Sequence, residues 1–546
     1  MYMKNKLTLI LVFNLSLFST ALAQGRKIDK DPEIKLVIGL VIDQMRWDYL
    51  ERYKNRFVEG GFKRLMKEGY SFQNTYIPYL PSVTAAGHAS IFTGAYPAHH
   101  GIIGNDWIER DTEKYMYCTA DSRVEPVGGS LKDGKMSPYN LHATTIGDQL
   151  KMATNSRSRV YGIAIKDRGS ILPAGRSADA AYWFDDSTGG FISSSWYMKE
   201  LPGWVKSFNE NKYASRSLKV GWSTLYPLNS YVQSTPDDMP FERNLGSPKG
   251  HTFPYSFNGR EDNHYEFRQT PFANTMTLDF AKQLLINEGL GSKKDPDMLC
   301  ISLSATDYIA HLFGPDAIEV EDTYLRLDKE IENFLHLLDS AIGKNKYTLF
   351  LTADHAAPQS AGYAKSRRIS AGSLNAYKLK DTLDTYCNSV FGSKGLIVYS
   401  EYQFFLNRFV LEKNNLNKNV VADSVVSWLN RRSEILAAFR LDQLYQVNLP
   451  KEVSEMIRRG FHLKRSGDIH VVLKAHFSDY LLTGTDHGTV YNYDTHIPLL
   501  FFGARINPGE TYRKVYMNDI APTICALLRI QPPDAAFGAV LHEIVR

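Results

Sequence analysis

Tyr347-Thr348-Leu349-Phe350-Leu351-Thr352-Ala353-Asp354-His355 joins an apolar run directly to an acid and an imidazole. An unbroken run of this length, rich in residues that favour strands, reads as a strand buried on both faces, as in a parallel sheet. The polar pair then falls at its carboxyl end. The same pattern recurs along the chain. Asp43 closes the run 34–42, Asp307 and His311 follow the run 298–305, and His487 lies in Gly484-Thr485-Asp486-His487-Gly488. Loops converge outside the carboxyl ends of strands in open α/β sheets, so these side chains can meet. Acids and imidazoles in that number suit two divalent metals, and the pattern reads as a metallohydrolase.

Working outward, the runs 34–42, 160–165, 298–303, 347–352 and 497–502 read as buried parallel strands. Between the third and fourth, residues 319–342 place Val320, Tyr324, Leu327, Ile331, Phe334, Leu335 and Leu338 at helical spacing. Strand, helix, strand is the unit of an α/β fold with a mostly parallel central sheet and helices on both faces. Two stretches interrupt the rhythm. Residues 170–265 are rich in Trp, Tyr, Ser, Gly and Pro and read as an inserted cap, and residues 360–470 mix amphipathic helices, such as 419–436, with less regular strands. The candidate ligands fall before, between and after these insertions, so residues 24–546 are expected to form one discontinuous domain.

Lys4 and Lys6, the apolar stretch 7–17 and Ala21-Leu22-Ala23 before Gln24 have the form of a signal peptide over residues 1–23. The stretch is shorter than the ~20 apolar residues of a membrane span, and no cysteine follows to carry a lipid. Export to a periplasm or the extracellular space is expected, with no membrane anchor. With 546 residues and 43% hydrophobic content the chain can bury a large core. A net charge of +4 without a Lys/Arg stripe excludes a nucleic-acid partner. Cys118, Cys300, Cys387 and Cys525 are too few for a disulfide scaffold.

Asp307 and His311 share a helix face if Thr306 starts a helix. Asp354 and His355 point oppositely in a regular strand and converge only if the chain bends. Mixed oxygen and nitrogen ligands suit zinc better than calcium. An acid at a strand end can equally cap the next helix, and that alternative stands for Asp43 alone. Residues 81–90, Pro-Ser-Val-Thr-Ala-Ala-Gly-His-Ala-Ser, start as a turn and run into small residues. They put Ser82 or Thr84 at a helix start, where free N–H groups favour an anion such as phosphate. Either hydroxyl is a nucleophile if a metal favours its alkoxide, or simply the cap. Lys166 and Arg168, two apart after the run 160–165, project to one side in extended chain and can hold a phosphoryl group, with Asp167 pointing away. The alternative is a solvated strand end. His88, His99, His100 and His496 read as packing or surface histidines.

These residues match a family. Asp43-Gln44-Met45-Arg46-Trp47-Asp48-Tyr49-Leu50, Val83-Thr84-Ala85-Ala86-Gly87-His88, Ser90-Ile91-Phe92-Thr93-Gly94, Gly104-Asn105-Asp106-Trp107, Lys166-Asp167-Arg168, Thr306-Asp307-Tyr308, His311 and Ala353-Asp354-His355 resemble the PafA-type alkaline phosphatases. These are secreted, zinc-dependent phosphate-monoester hydrolases of the alkaline phosphatase superfamily, related in fold to nucleotide pyrophosphatase/phosphodiesterases. The resemblance implies two zinc ions, Thr84 as the nucleophile forming a phosphothreonine, and Asn105 donating its amide to a phosphoryl oxygen. Asp43, Asp354 and His355 would hold the zinc beside Thr84, with Asp307, His311 and His487 on the second. It implies small phosphate monoesters as partners and a monomer. A phosphodiesterase of the same superfamily is the alternative, which Lys166 and Arg168 disfavour because two cations suit a dianion. A sulfatase is rejected, since Cys118-Thr119-Ala120-Asp121-Ser122 has Ser where the motif requires Arg.

Overall fold

A computed structural model describes residues 33–246, 250–478 and 482–545. The expected signal peptide, 1–23, lies outside them. An 11-stranded sheet forms the centre. Its strands are β1 (Leu36–Ile42), β2 (Tyr70–Tyr76), β3 (Pro126–Val127), β4 (Val160–Ala164), β5 (Ala180–Asp185), β6 (Gly190–Ser194), β7 (Asp297–Leu303), β8 (Tyr347–Thr352), β9 (His496–Gly503), β10 (Gly509–Thr511) and β11 (Val515–Tyr516). The order is β10-β2-β9-β8-β1-β7-β4-β5-β6-β3, with β11 also on β2. Strands β8, β1, β7, β4 and β5 run parallel. Leu36 pairs with Tyr347 on one side and Asp297 on the other. Every residue of β1, β7 and β8 is buried, so both faces of the sheet are covered. That is why these strands are unbroken apolar runs.

Two expectations need correction. The run 497–502 belongs to β9, which is antiparallel to β8; its interior burial gives the same apolar run as a parallel neighbour, and direction leaves no trace in composition. The stretch 170–265 is not all insertion either. Strands β5 and β6 extend the central sheet, β5 parallel to β4 and β6 returning antiparallel, with Tyr182, Trp183, Phe184 and Phe191 inside the core. The remainder of that stretch is short helices and loops.

The stretch 360–470 carries its own four-stranded antiparallel sheet, in the order Ile397–Ser400, Gln403–Leu406, Ile469–Leu473, Ile435–Arg440. Its separate core includes Leu383, Phe404, Val425 and Ile469. The helix expected over 419–436 is Lys418–Leu429. It stops early because the Asn430 side chain exchanges two hydrogen bonds with the Ala438 backbone, at 2.9 and 2.8 Å, and turns the chain into the strand.

Four helices position the site: α1 (Thr84–Thr93), α2 (Asp167–Ala174), α3 (Ala305–Phe313) and α4 (Ile318–Leu338). Helix α1 lies so close to the loop after β8 that a Cβ on Gly87 would come within 2.4 Å of the Asp354 carbonyl oxygen. Only a residue without a side chain permits that approach.

Candidate active site

Asp43 follows β1, Lys166 follows β4, Asp307 follows β7 in the first turn of α3, and Asp354 follows β8. All four strands are parallel, so all four side chains emerge at the same sheet edge, as expected at strand carboxyl ends. Two groups result. Asp43, Asp354 and His355 bring ligand atoms within 4.8 Å of one another, and so do Asp307, His311 and His487. The chain bends at Asp354, so it and His355 converge rather than oppose. Asp43 precedes no helix start, since the next helix is Tyr49–Arg52, and so caps nothing.

The three histidines are oriented alike. Nδ1 of His355 faces the Ala356 carbonyl at 3.2 Å, Nδ1 of His311 the Thr485 carbonyl at 2.8 Å, and Nδ1 of His487 the Ser82 carbonyl at 2.9 Å. A carbonyl only accepts, so Nδ1 carries a proton; in His355 and His487 Nε2 keeps its lone pair, the usual arrangement of a metal-ligating histidine, whereas Asp307, against burial, favours a second proton on His311 Nε2 that a cation would have to displace. Those Nε2 atoms point at carboxylates: His355 at Asp354 (3.4 Å) and Asp43 (3.6 Å), His311 and His487 at Asp307 (3.2 and 3.7 Å).

Three buried carboxylates, Asp43, Asp307 and Asp354, face one buried ammonium. Lys166 Nζ lies 2.6 Å from Asp307 and 2.8 Å from Asp43. Asp43 Oδ2 takes the Lys166 contact, while Asp43 Oδ1 and Asp354 Oδ2 are buried without a hydrogen-bond partner. Burial and the neighbouring Asp354 charge hold Asp43 well above the usual carboxylate range. Against its own burial, Asp307 is held well below that range by His311 and Lys166. Burial also depresses His355, and depresses His487 further, which favours neutral imidazoles. Surplus negative charge, orphaned carboxylate oxygens and neutral Nε2 atoms are the donor set that divalent cations satisfy.

Thr84 opens α1, buried. Its Oγ1 sits beside the first group, 3.4 Å from His355 Nε2, and 3.2 Å from the Lys166 Nζ that pairs with Asp43 and Asp307. The cap position belongs to Val83 and no side chain caps the helix, so neither Ser82 nor Thr84 is a cap. Ser82 instead reaches the Thr489 carbonyl at 3.4 Å. Asn105 Oδ1 accepts the Ala85 N–H at 3.1 Å, which fixes the amide beside the start of α1.

Lys166 and Arg168 reach the site differently from an extended strand. Lys166 is the residue before α2 and Arg168 the second residue within it. Both line a cavity of about 220 Å³ whose walls include Tyr117, Arg268 and Tyr308. Arg168 is steadied by its hydrogen bond to the Tyr117 hydroxyl at 3.0 Å. Asp167 does not point away as expected: because the chain is helical here rather than extended, it lines the same cavity, accepting from Tyr117, the hydroxyl that also meets Arg168, at 2.7 Å and from Thr119.

Gln44 was not among the sequence candidates. Its side chain donates to Asp307 at 2.7 Å and its N–H to Asp354 at 3.1 Å, tying one group to the other. A positive φ of 63° is the one local mark of that bend, and φ is invisible in sequence. Glu401 and Tyr402 arrive from the 360–470 sheet: Glu401 accepts the Asn105 N–H at 2.9 Å, and the Tyr402 hydroxyl donates to the His487 carbonyl at 2.9 Å. His88 bridges the Thr84 carbonyl and Ser302, His100 meets Ser90, and His496 is stacked between Trp47 and Tyr76. His100 and His496 are packing histidines, whereas His88 also faces Asp354 Oδ2 at 3.4 Å and helps hold its carboxyl low.

Residues 37–496 match the family described as type I phosphodiesterase / nucleotide pyrophosphatase. Alkaline phosphatase PafA of Elizabethkingia meningoseptica is 42% identical over 95% of this chain and 96% of its own. The solved structure of wild-type PafA superposes with a TM-score of 0.91, covering 94% of this chain and 99% of that one. The chain belongs to the PafA-type alkaline phosphatase family. Alkaline phosphatase PhoV of Synechococcus elongatus is also 42% identical, over 97% of both chains. A Myroides odoratus protein named calcium-transporting ATPase is 44% identical over 97% of both. Among the described residues here, no helix is long and apolar enough to cross a membrane. A further PafA structure carries substitutions of a threonine, an asparagine, a lysine and an arginine, spaced within each pair as Thr84 is from Asn105 and Lys166 from Arg168. The family membership agrees with the fold, a central α/β sheet with candidate metal groups at its edge.

Proposed function

We propose that this PafA-type family member is an exported alkaline phosphatase that hydrolyses small phosphate monoesters through a phosphothreonine at Thr84. The reading is of one discontinuous catalytic domain, 24–546. The observation that carries it is the position of Thr84 Oγ1, buried beside His355 of one group of acids and imidazoles and beside the Lys166 ammonium, which pairs with Asp307 of the other. Asp43, Asp354 and His355 would hold one zinc, and Asp307, His311 and His487 a second. When bound, the two ions supply the positive charge that favours the ionised hydroxyl and the departing oxygen.

The chain's own groups do the rest. Thr84 Oγ1 attacks phosphorus, the bond from phosphorus to the ester oxygen breaks in line, and the phosphoryl group rests on Thr84. Water then attacks the same phosphorus from the vacated side, restores the hydroxyl and releases inorganic phosphate. The Lys166 ammonium faces both Thr84 Oγ1 and the transferring oxygens, while Arg168 offers a planar fork to the non-bridging oxygens from a position fixed by Tyr117. The Asn105 amide, anchored through its oxygen on Ala85, leaves its N–H pair to donate. Two cations and an amide facing the phosphoryl oxygens favour a dianionic monoester over a monoanionic diester. The test is kcat/KM of the zinc-saturated chain on an aryl phosphate monoester, the matching methyl diester and a sulfate ester. The monoester should lead by orders of magnitude; a preferred diester would assign the chain to phosphodiesterase chemistry.

A further inference from the structure

The 360–470 sheet enters the site through a single turn. Strands Ile397–Ser400 and Gln403–Leu406 pair with Ser400 opposite Gln403, which leaves Glu401 and Tyr402 as a two-residue hairpin loop. Both have positive φ, 44° and 65°. Tight turns of this kind favour Asn-Gly, because most L side chains are strained there. A glutamate and a tyrosine therefore suit the turn itself badly. Glu401 Oε2 is also buried without a hydrogen-bond partner, and burial, then Asp106, hold its carboxyl well above the usual carboxylate range. Strain of this kind persists where the surroundings demand it, and it gathers at functional sites.

The contacts of three consecutive residues name the demand. Ser400 Oγ donates to Asp106 Oδ1 at 2.6 Å, Glu401 Oε1 accepts the Asn105 N–H at 2.9 Å, and the Tyr402 hydroxyl donates to the His487 carbonyl at 2.9 Å. The fit is close on both sides. A Cβ on Gly104, just before Asn105, would collide with Glu401 Oε2, and one on Gly488, just after His487, would come within 2.6 Å of the Tyr402 ring. Tyr402 is also part of the accessory core, so its burial has a structural use of its own. Glu401 lacks that use: among the described residues, its carboxyl accepts one hydrogen bond, from Asn105.

Asn105 is thus held from two directions. Its Oδ1 accepts the Ala85 N–H at 3.1 Å, at the start of the helix that carries Thr84, and its main chain is held by Glu401. We infer that Glu401 is a positioning residue for phosphoryl transfer, fixing the Asn105 main chain so that the amide beside Thr84 is aimed at the phosphoryl oxygens. The strained turn is what carries the Glu401 carboxyl from a separate sheet to that point.

A double-mutant cycle on the full, zinc-saturated chain tests this role. Glu401→Ala should cut kcat/KM for an aryl phosphate monoester by about tenfold, inside the roughly hundredfold that a misplacement of about 1 Å can cost. In an Asn105→Ala background the same change should cost less than about twofold, since no amide is left to aim. Glu401→Asn, whose shorter side chain tolerates positive φ, should lose monoester rate as well while keeping a Tm no lower than that of the wild type. A residue that merely supported the fold would lose Tm together with rate, and its loss would multiply with that of Asn105→Ala; either result overturns the assignment. Should neither Glu401 variant fold, Gly104→Ala displaces the carboxyl with Glu401 still in place and enters the same cycle. The role rests on the phosphatase reading above, and the two fail separately. A wild-type chain that turned over no monoester would sink that reading, and the cycle would then be read on the Kd of inorganic phosphate.

Discussion

Replacing Arg168 by alanine tests the proposed phosphate recognition without touching a candidate metal ligand. Among the described residues Arg168 makes one hydrogen bond, to Tyr117, and its buried Nε meets no partner, so the guanidinium has donors to spare for substrate. Charge-assisted hydrogen bonds are worth about 1.5–3 kcal/mol each. At about 1.36 kcal/mol per tenfold, the change should cut kcat/KM for an aryl phosphate monoester by roughly one to two orders of magnitude. Adding Lys166→Ala should bring the total to roughly two to four. A methyl-capped diester presents one charged oxygen fewer, so its hydrolysis should fall far less and the monoester-to-diester ratio should narrow. Tyr117→Phe removes only the anchor, at about 1 kcal/mol for a neutral hydrogen bond, and should cost the monoester several-fold. The assay is initial-rate kinetics on zinc-saturated protein, with metal content measured on every variant. Equal losses on both esters at unchanged metal content would refute the reasoning and leave Arg168 as support for the fold.

Chelation should abolish turnover and added zinc should restore it, followed by metal analysis; full activity in demonstrably metal-free protein would contradict the donor-set argument. Gln44→Ala removes the hydrogen bond that orients Asp307, and should weaken zinc retention by about 10–100-fold, the usual range for partners of metal ligands, read by competition with a zinc indicator. In the metal-free chain the Asp307 carboxylate, acting against burial, pushes His311 up to about 9. A raised folded-state pKa adds stability that is fully present below the unfolded value near 6.5 and is lost as pH rises through about 9. The Tm of the metal-free chain should therefore decline across that window, and His311→Asn should flatten the decline.

The parallel core was legible because β1, β7 and β8 are buried on both faces, which leaves no polar alternation to confuse with loop. Strand β5 was not: Ala180-Ala181-Tyr182-Trp183-Phe184-Asp185 sits in an aromatic-rich region, and aromatic residues serve a cap as readily as a sheet. The direction of β9 was hidden for a related reason, since burial sets composition and pairing partners set direction. That Asp43, Asp307, His311, Asp354, His355 and His487 come together in two groups could be read because strand ends say where such side chains meet. Gln44, Glu401 and Tyr402 could not. Their roles come from a backbone bend and from contacts with partners far away in the chain, which no local pattern records.

The most direct test of the central claim is to quench the zinc-saturated chain in acid during turnover of an aryl phosphate monoester and map the phosphorylated peptide by mass spectrometry. The account predicts one phosphoryl group, on Thr84, with none on the Thr84→Ala chain, which should have lost most of its activity. A phosphoryl group on Ser82, or undiminished turnover by Thr84→Ala, would contradict it.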